Sequence, residues 1–392
     1  MGLIRAGSGR NCVVEKHEEW RYFSMRRQET ILHVWTVKGE EVLERRKISR
    51  RSRLKLAPVG AMILLITLAS VFFSATSSPD SALARDVKHR FVTIGTGTSS
   101  GAYFAIGKAI CESVNRRSER LVQEGATLVT RCHVVPSGGS VFNIRQVASG
   151  AFTFVIAQSN VARQALGDTA ATTGVAHVPG LRSAFSLHSE ALHVVVPADA
   201  QVASLADLAG KRFSPGNFGS GTRQLVLDLA AAHNLPVDDI LNVGVLTPET
   251  QVNALCAGTI DAFAMVTAVP AAVVMEAATN CAARLMHLDT SVEKGLADAA
   301  PDLAPTVIPS GVYPTALTDT KTLGVHAGLF TRDVVPDQVV RDLIQAVIEE
   351  LAHVQAAHPA LGNLQPHSMA TQGLGAPLHD AAAAFFAAEG LL

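Results

Sequence analysis

Short apolar runs alternate with amphipathic stretches from residue 91 onwards. Residues 91–94 predict a strand, and apolar positions across 102–114 recur at the spacing of one helix face. Strands are also expected at 128–135 and 152–156. Between them we expect a helix over 140–150, capped by Ser140 and ended by the glycine. This strand–helix–strand order predicts the α/β class, with a parallel sheet covered by helices.

The same alternation returns in the second half of the chain. Strands are expected at 192–196, 212–214, 260–266 and 323–331. Helices are expected from Ser204, from Thr222, from Thr247-Pro248-Glu249 and, with a long apolar stripe, after Pro336. The chain therefore contains two similar blocks, each with a strand, a Gly/Ser/Thr loop and a helix start. Ligands of open parallel sheets bind beyond the carboxyl ends of the strands, so two facing blocks predict one shared cleft.

Charge is divided unevenly along the 392 residues, whose formal net charge is −1. Residues 1–84 hold 14 Lys and Arg against 8 Asp and Glu, whereas residues 85–392 hold 19 against 26. An acidic body presents no basic face to a phosphate backbone. We therefore expect no nucleic-acid partner.

The N-terminal part has the layout of a secretory signal. Basic residues crowd residues 45–55, an apolar segment covers 56–73, and Ala82-Leu83-Ala84 offers a small-x-small cleavage site. We expect a leader over 1–84 and a periplasmic product. The alternative is an uncleaved anchor, because 18 apolar residues are long enough to span a bilayer. Residues 49–55 also resemble a twin-arginine export signal.

Cysteine usage agrees with export. Cys12 lies in the leader, and four cysteines remain in the body: Cys111, Cys132, Cys256 and Cys281. Four cysteines allow three pairings, and the sequence alone does not choose among them. The chain has no CxxC or HxxxH spacing, so no metal site is expected, and no cofactor either.

The loop Gly97-Thr98-Ser99-Ser100-Gly101 has three interpretations. As a dinucleotide fingerprint its spacing is wrong, and no acidic residue closes a second strand about 20 residues on. As a nucleophile elbow it makes Ser99 the nucleophile of a periplasmic serine hydrolase, with His379 and Asp380 as candidate partners. This elbow would lie on the first strand of the body, which is unusual. As a binding loop, its helix-start N–H groups and hydroxyls solvate an anion without a charged side chain.

Two further loops have the same features of a binding loop. Residues 216–222 combine glycines with Ser220 and Thr222, and Arg223 follows, which can make a bidentate contact to a carboxylate. Residues 137–140 offer a third helix start. Any single loop is typically an ordinary capped turn, but three at strand ends favour a binding cleft.

Several segments of the body occur in one order typical of a known family. They are Ile94-Gly95-Thr96-Gly97, Cys111, Asn115, Ser137-Gly138-Gly139-Ser140 with Asn143, Gln158-Ser159, Leu181-Arg182, Phe185-Ser186-Leu187-His188, Asp207-Leu208-Ala209-Gly210-Lys211-Arg212, Gly219-Ser220-Gly221 with Arg223, Ala254-Leu255-Cys256, Asp261-Ala262, Ile308-Pro309 with Tyr313, His358-Pro359-Ala360 and Ala376-Pro377-Leu378-His379. The series resembles the TAXI-type solute receptors of tripartite ATP-independent periplasmic (TRAP) transporters, over about residues 90–392.

The resemblance implies a type II periplasmic-binding-protein fold: two lobes with mixed, mostly parallel sheets, joined by crossing strands around a central cleft. Residues 88–194 with 325–392 would form the first lobe, and 195–324 the second. It also implies a receptor without catalysis, which binds glutamate, 2-oxoglutarate or a similar carboxylate and delivers it to an ion-driven membrane permease. We expect this receptor to be a monomer.

The resemblance carries a ligand set and a disulfide pairing. The ligand residues implied are Thr98, Ser99, Tyr103, Ser140, Gln158, Ser159, Ser220, Gly221, Thr222, Arg223 and Tyr313. The family also suits the pairs Cys111–Cys132 and Cys256–Cys281.

The chain departs from the family at several polar positions. Ala268-Val269-Pro270 stands where the family often has Gly-His before proline, Asn160 where it often has Asp, and Phe104 where it has a second tyrosine. The loop around Tyr313 differs as well. Losing an imidazole and a carboxylate makes the cleft less polar, so a larger or more apolar acid than glutamate is also compatible with the sequence.

Overall fold

The computed structural model describes residues 87–167, 174–236, 238, 246–288 and 302–392, together with the backbone of four N-terminal strands. These strands are β1 (Val13–His17), β2 (Trp20–Arg27), β3 (Thr30–Val37) and β4 (Glu40–Glu41). They form an antiparallel sheet in the order β1-β2-β3-β4, within a unit, Met1–Asp80, separate from Ser81–Leu392. No sequence pattern described above predicts this sheet. The apolar segment 56–73, the cleavage site and Cys12 lie outside the described residues.

The body begins with the expected alternation of strands and helices. Its first elements are β5 (Lys88–Gly95), α1 (Ala102–Gln123), β6 (Leu128–Val135), α2 (Ser140–Ser149), β7 (Phe154–Gln158), α3 (Ser159–Leu166) and β8 (Leu181–Val196). The glycine at position 150 ends α2 in the left-handed conformation, as expected (φ 77°). Ser140 is not the cap, however. Gly139 takes the N-cap position, which leaves the Ser140 hydroxyl free for other contacts.

The second block follows, and the chain then returns to the first. The elements are β9 (Phe213–Ser214), α4 (Gly221–Ala232), α5 (Pro248–Cys256), β10 (Ala262–Thr267), α6 (Ala272–Cys281), β11 (Arg284–Leu285), β12 (Ala304–Ile308), β13 (Thr320–Arg332), α7 (Asp337–Glu349), α8 (Leu351–Ala356), α9 (Pro366–Thr371) and α10 (Asp380–Ala388). Thr247 caps α5 ahead of a proline, as predicted. The helix predicted from Ser204 is only a 3₁₀ turn, Ala206–Leu208.

One nine-stranded sheet runs through the body, with the path order β6-β5-β7-β13-β8-β10-β9. Strand β5 pairs in parallel with β6 and β7, and β9 pairs in parallel with β10. The long strands β8 and β13 pair with each other and with their other neighbours in the antiparallel sense. The parallel pairing expected for the sheet is therefore found at the outer strands of each half.

The two long strands connect two separate cores. Leu181 and Phe185 of β8 pack in the core of the first lobe, whereas Leu192 and Val196 of the same strand pack in the second. Strand β13 makes the reverse passage, from Leu323 in the second core to residues of the first. These are the two crossing strands that the resemblance implies. The type II periplasmic-binding-protein fold, with two lobes, is confirmed.

We call the part built on β5–β7 the first lobe and the part built on β9–β11 the second. Helices α1–α3 and α7–α10 belong to the first lobe, and α4–α6 to the second. The predicted boundaries, at 194/195 and 324/325, fall inside the crossing strands, and their exact positions stay a prediction. Among the described residues, no helix is both long and apolar enough to cross a bilayer.

Both disulfides implied by the resemblance are present. Cys111–Cys132 ties α1 to β6, and Cys256–Cys281 ties the end of α5 to the end of α6. The first disulfide is buried in the core of the first lobe, whereas Cys256 is exposed. Each lobe therefore carries one covalent link between neighbouring elements.

Candidate functional site

Helix starts from both lobes converge on a cleft of about 290 Å³. The first lobe contributes the starts of α1 and α2, and the second lobe contributes the starts of α4, α5 and α6. The lining residues at these starts are Gly101, Ala102, Gly139, Ser140, Ser220, Gly221, Pro248, Ala271 and Ala272. The first N–H groups of a helix have no partner within the helix, and the helix dipole adds partial positive charge there. The cleft is therefore suited to an anionic group.

Ser140 and Gln158 line the cleft where the second lobe comes close to the first. The Ser140 hydroxyl accepts a hydrogen bond from the backbone N–H of Gln158 at 3.1 Å, which fixes the end of β7 against the start of α2. Gly221 approaches so closely that a Cβ there would lie 2.0 Å from the Gln158 side-chain oxygen. The neighbouring Thr222 hydroxyl accepts the N–H of Val266 on β10 at 2.9 Å. A glycine at position 221 thus lets α4 start directly against the first lobe.

The two lobes also contact each other around the cleft. The backbone N–H of Phe142 donates to the Gly219 carbonyl at 3.0 Å, and the Asn217 side chain donates to the Gly138 carbonyl at 2.9 Å. Ser100, in the first glycine loop, donates to the Glu249 carboxylate at the start of α5. This hydrogen bond lowers the pKa of Glu249, against a smaller opposing effect of burial. The two lobes are therefore in contact around the cleft in this structure.

The cleft brings together seven of the eleven residues predicted to bind ligand. They are Thr98, Tyr103, Ser140, Gln158, Ser220, Gly221 and Thr222. The Ser220 hydroxyl already caps α4 by accepting the Arg223 N–H at 3.1 Å. The other four predicted residues, Ser99, Ser159, Arg223 and Tyr313, do not line the cleft. The ligand contacts themselves stay a prediction for all eleven.

Three of those four residues have surroundings that explain their position. Ser99 is exposed. The Ser159 hydroxyl is buried and accepts the backbone N–H of His326 on β13 at 3.2 Å. Arg223 places its guanidinium carbon 4.6 Å from the ring centroid of Phe218, a cation–π arrangement beside the cleft. In this structure the arginine therefore contacts an exposed aromatic ring.

Tyr313 is buried in the core of the second lobe, where it holds the start of α6. Its hydroxyl accepts the backbone N–H of Ala271 at 2.8 Å and lies 2.9 Å from His193 Nε2. Because His193 Nδ1 is 2.9 Å from the Ala191 carbonyl, the proton belongs on Nδ1, and the tyrosine hydroxyl donates to Nε2. Burial lowers the pKa of His193 to about 4, which keeps this ring neutral. Tyr313 therefore stabilises the start of α6, which lines the cleft, from within the core of the second lobe.

His379, one of the two residues predicted as hydrolase partners of Ser99, has a structural role. His379 is buried and caps α10, because its Nδ1 accepts the N–H of Ala381 at 3.2 Å. Its Nε2 lies 3.1 Å from the Val335 carbonyl. Both ring nitrogens are occupied, so His379 does not act as a base for Ser99 in this arrangement. Within the described residues, no group of three or more His, Cys, Asp or Glu could hold a metal ion.

Sequence reasoning missed two ionisable residues and an apolar wall of the cleft. Glu190, on β8, and His358, before α9, both line it, and the second lobe adds Met265, Val266 and Val273. Glu190 was detectable as a carboxylate within a run of apolar and small residues. His358 belongs to a segment that the resemblance includes, but no local feature places it at the cleft, because the fold brings it there from a distant part of the chain.

The crossing strands and the two lobes with a cleft between them define the periplasmic-binding-protein class. A family model describes the same stretch: the NMT1-like family matches residues 94–390. The chain belongs to the NMT1-like family.

Solved structures similar to this chain include several binding proteins. The alkanesulfonate-binding protein SsuA from Xanthomonas axonopodis pv. citri, bound to MOPS, is 17% identical, with 78% of this chain and 95% of that chain covered and a TM-score of 0.42. XAC2383 from Xanthomonas citri, bound to ATP, is 14% identical, with 77% and 99% covered and a TM-score of 0.44. The periplasmic aliphatic sulphonate binding protein SsuA from Escherichia coli is 15% identical, with 68% and 72% covered and a TM-score of 0.38.

Proposed function

We propose that this protein is an extracytoplasmic solute receptor that binds a small carboxylate in the cleft between its lobes. The observation that carries the proposal is the convergence of helix starts from both lobes on one cleft of about 290 Å³. Helix N-termini bind anions through backbone N–H groups and the helix dipole, without a cationic side chain. The volume is near the lower end of ordinary ligand pockets, so the ligand is a small metabolite.

The composition of the cleft wall supports a ligand with an apolar part. The first lobe supplies hydroxyls and an amide from Thr98, Ser140 and Gln158, whereas the second lobe adds Met265 and Val266. Apolar area removed from water contributes roughly 25 cal/mol per Å² to binding. An organic acid with its carboxylate at the helix starts and its carbon chain against the second lobe fits both surfaces.

The membrane partner follows from the sequence resemblance. The ordered series of segments shared with the TAXI-type receptors supports delivery of the ligand to the permease of a TRAP transporter. The periplasmic location rests on the same resemblance and on the signal-like leader. Solute receptors work by closing two lobes around a ligand, and the contacts around this cleft, such as Phe142 to Gly219, suit that role.

A thermal-shift experiment with a panel of small carboxylates tests the proposal. A ligand that binds only the folded state raises its stability by about 3 kcal/mol at a hundredfold excess over the dissociation constant. We expect at least one acid to produce a shift of this kind, together with a smaller radius of gyration in solution scattering.

Two variants make the test specific for the cleft. Gln158→Ala removes a side chain from the cleft wall and is expected to weaken binding by about 1 kcal/mol, roughly fivefold. Gln372→Ala makes the same change at an exposed position after α9 and is expected to leave binding unchanged. Equal affinities for both variants, or a panel without a single stabilising acid, would contradict a carboxylate site in this cleft.

A further inference from the structure

A surface groove beside the ligand cleft contains two arginines, which come from different lobes. Arg145 lies on α2 of the first lobe, and Arg223 lies in the first turn of α4 in the second. Both line a groove of about 200 Å³, together with Phe218 and Leu227. The groove adjoins the ligand cleft, with which it shares Ser220. Arg223, which does not line the cleft, is therefore part of a second concave surface.

Neither guanidinium is paired with a carboxylate of the described residues. Arg145 donates one hydrogen bond, to the Gly174 carbonyl at 2.7 Å. The half-buried Arg223 guanidinium contacts the Phe218 ring and donates no hydrogen bond within the part of the chain that the structure describes. Burial lowers the pKa of Arg223, and no neighbouring acid opposes that effect. The unused N–H donors are available to an anion from outside the chain.

The helices that carry the two arginines supply no acid to the groove. Helix α2 contains no Asp or Glu. The acid of α4, Asp228, does not line the groove and instead accepts hydrogen bonds from Gln224 and Gln164, at 2.9 and 2.8 Å. Residues 85–392 as a whole hold 26 acidic against 19 basic residues. The groove is therefore a local positive site on an acidic body.

Exposed aromatic surface borders the same groove. Phe218 is 67% exposed, and Phe142 is 38% exposed. Phe142 lies one turn before Arg145 on α2, so the two side chains are neighbours on the helix surface. Exposed aromatic side chains next to arginines are typical of protein–protein interfaces, where both residue types are enriched. The surface is therefore suited to a protein partner.

The contact between the lobes forms this groove. The Phe142 N–H donates to the Gly219 carbonyl at 3.0 Å, and the Asn217 side chain donates to the Gly138 carbonyl at 2.9 Å. These hydrogen bonds hold the start of α4 beside the start of α2. A partner in the groove touches both lobes at once, so it binds this arrangement of the lobes more tightly than a separated one.

We propose that the groove binds an acidic segment of a partner protein, with carboxylates at Arg145 and Arg223 and an apolar side chain against Phe218. This inference is independent of which solute the cleft binds. Guanidinium groups bind carboxylates through paired N–H donors. Anionic membrane surfaces are instead recognised by clusters of about four to eight basic residues, and an acidic body is repelled by them. Two arginines suit a short acidic segment.

Two biotinylated peptides test the partner chemistry on the unmodified protein. The acidic probe contains three Gly-Glu-Phe-Glu repeats, and the neutral probe has glutamine in place of every glutamate. Biolayer interferometry measures the affinity of each. We expect the acidic peptide to bind at least about tenfold more tightly, the lower range for a hydrogen bond to a charged group.

Charge-reversal variants then test the two arginines. Arg145→Glu and Arg223→Glu are each expected to weaken binding of the acidic peptide at least about tenfold. The matched controls, Lys108→Glu on α1 and Lys321→Glu on β13, make the same change in net charge at exposed positions outside the groove. We expect them to alter the affinity less than about threefold, because salt screens distant surface charges. Arg223→Gln, which removes the charge without reversing it, replaces Arg223→Glu if that variant does not fold.

Several results would overturn the inference. Equal affinities for the two peptides, or no binding of the acidic peptide at about 1 mM, would exclude an acidic partner. Equal losses in the groove and control variants would show that only net charge matters, and a loss at only one arginine would exclude a groove shared by the lobes.

Two further measurements separate the acidic segment from other occupants. Vesicles containing phosphatidylserine that bind in its place, and lose binding in Arg145→Glu, would show that the groove binds a membrane surface instead. Self-association of the protein that Arg145→Glu abolishes would identify a second copy of this chain as the occupant. Solute binding in the cleft is measured separately, so each of these results leaves the proposed function standing.

Discussion

The side chain of Arg223 extends towards Phe218, beside the cleft. Phe218 is largely exposed, so the guanidinium covers an aromatic surface that would otherwise face water. Cation–π contacts at exposed sites contribute about 0.5–1 kcal/mol. In the sequence, Arg223 follows a glycine-rich helix start, which predicts a contact to a carboxylate. In the structure, its guanidinium lies over the Phe218 ring instead.

Arg223→Ala is therefore expected to change ligand affinity by less than about threefold, while lowering the free energy of unfolding by about 0.5–1 kcal/mol. Calorimetric titration and denaturant unfolding measure the two quantities separately. A loss of affinity of tenfold or more would mean that the guanidinium contacts the ligand after all.

His193 makes the stability of the second lobe dependent on pH. Its pKa is about 4 in the folded protein, against 6.5 as the ordinary value, because burial disfavours the charged ring. Between these values the unfolded chain binds more protons than the folded one, so stability falls as the pH falls. The contribution is complete above pH 6.5 and declines towards pH 4.

For the unmodified protein, this histidine accounts for about 2 kcal/mol of stability lost between pH 8 and pH 5. His193→Gln is expected to reduce the difference in unfolding free energy between those two pH values by about that amount. The variant at pH 8 serves as the control for lost packing. An unchanged pH dependence would show that the ring is not held neutral.

Five of the predicted residues that line the cleft, Thr98, Ser140, Ser220, Gly221 and Thr222, lie in loops at helix starts that the sequence itself indicates, whereas Tyr103 and Gln158 were implied only by the family resemblance. Glycine and hydroxyl residues at a strand end predict a loop whose backbone N–H groups are available to a ligand. Ser140 and Gly221 lie in such loops and line the cleft. Tyr313 could not be assigned in the same way. Whether a tyrosine faces the cleft or the core depends on tertiary packing, here on the hydrogen bonds to His193 and Ala271.

Helices and strands show the same division between local and tertiary information. Caps and breakers such as Thr247-Pro248 and Gly150 fixed helix ends to within a residue or two. The pattern predicts a strand only from residue 192, but β8 begins at Leu181. Ser183, Ser186 and Glu190 interrupt the apolar run, although all three are buried. A strand that crosses between lobes can bury polar residues, and hydrophobic periodicity does not detect it.

The two disulfides differ in their surroundings, and therefore in their expected reactivity. Cys111 and Cys132 are only 4% and 2% exposed, whereas Cys256 lies at the exposed end of α5. Thiol–disulfide exchange needs access of the attacking thiolate to the sulfur atom. Brief reduction under native conditions, followed by alkylation and mass spectrometry, is expected to label Cys256 and Cys281 first.

Removing either disulfide should also destabilise the protein. For loops of 21 and 25 residues, loop-closure entropy predicts a loss of roughly 3 kcal/mol in each case. The double variants Cys111→Ser with Cys132→Ser, and Cys256→Ser with Cys281→Ser, test this by denaturant unfolding.

In the reduction experiment, preferential labelling of Cys111 and Cys132 would contradict the order of reduction that burial predicts.

At the scale of the whole molecule, polar contacts join the two lobes around the cleft. The hydrogen bond between Ser100 and Glu249 is one of them, and it connects the first glycine loop to the start of α5. A contact that exists only when the lobes are together stabilises that state relative to a separated one. By population shift, it then raises the apparent affinity for a ligand held between the lobes.

Glu249→Gln is expected to weaken ligand binding about two- to tenfold, mainly through faster release, because it weakens this hydrogen bond. Glu276→Gln is the matched control, with the same loss of charge on an exposed helix of the same lobe. Stopped-flow dissociation measures the difference. Identical release rates for the two variants would show that the contact does not stabilise the lobes around the ligand.

The two-lobed architecture was accessible from the sequence because its blocks repeat one local pattern. The single sheet that joins the lobes was not, since the pairing of β8 with β13 links residues more than 130 positions apart, such as Ala191 and Gly324. The position of Glu190 in the cleft depends on that pairing as well. Long-range register, more than local propensity, determines what the cleft contains.

The most direct test of a carboxylate site between the lobes is mass spectrometry of the small molecules released when the purified, exported protein is denatured. We expect to find one small acid, at up to one molecule per chain. Protein that has been denatured, separated from this acid and refolded should no longer contain it. Adding that acid back should restore the thermal stability. Release of no acid, or of only a cationic or uncharged solute that restores stability, would contradict the account.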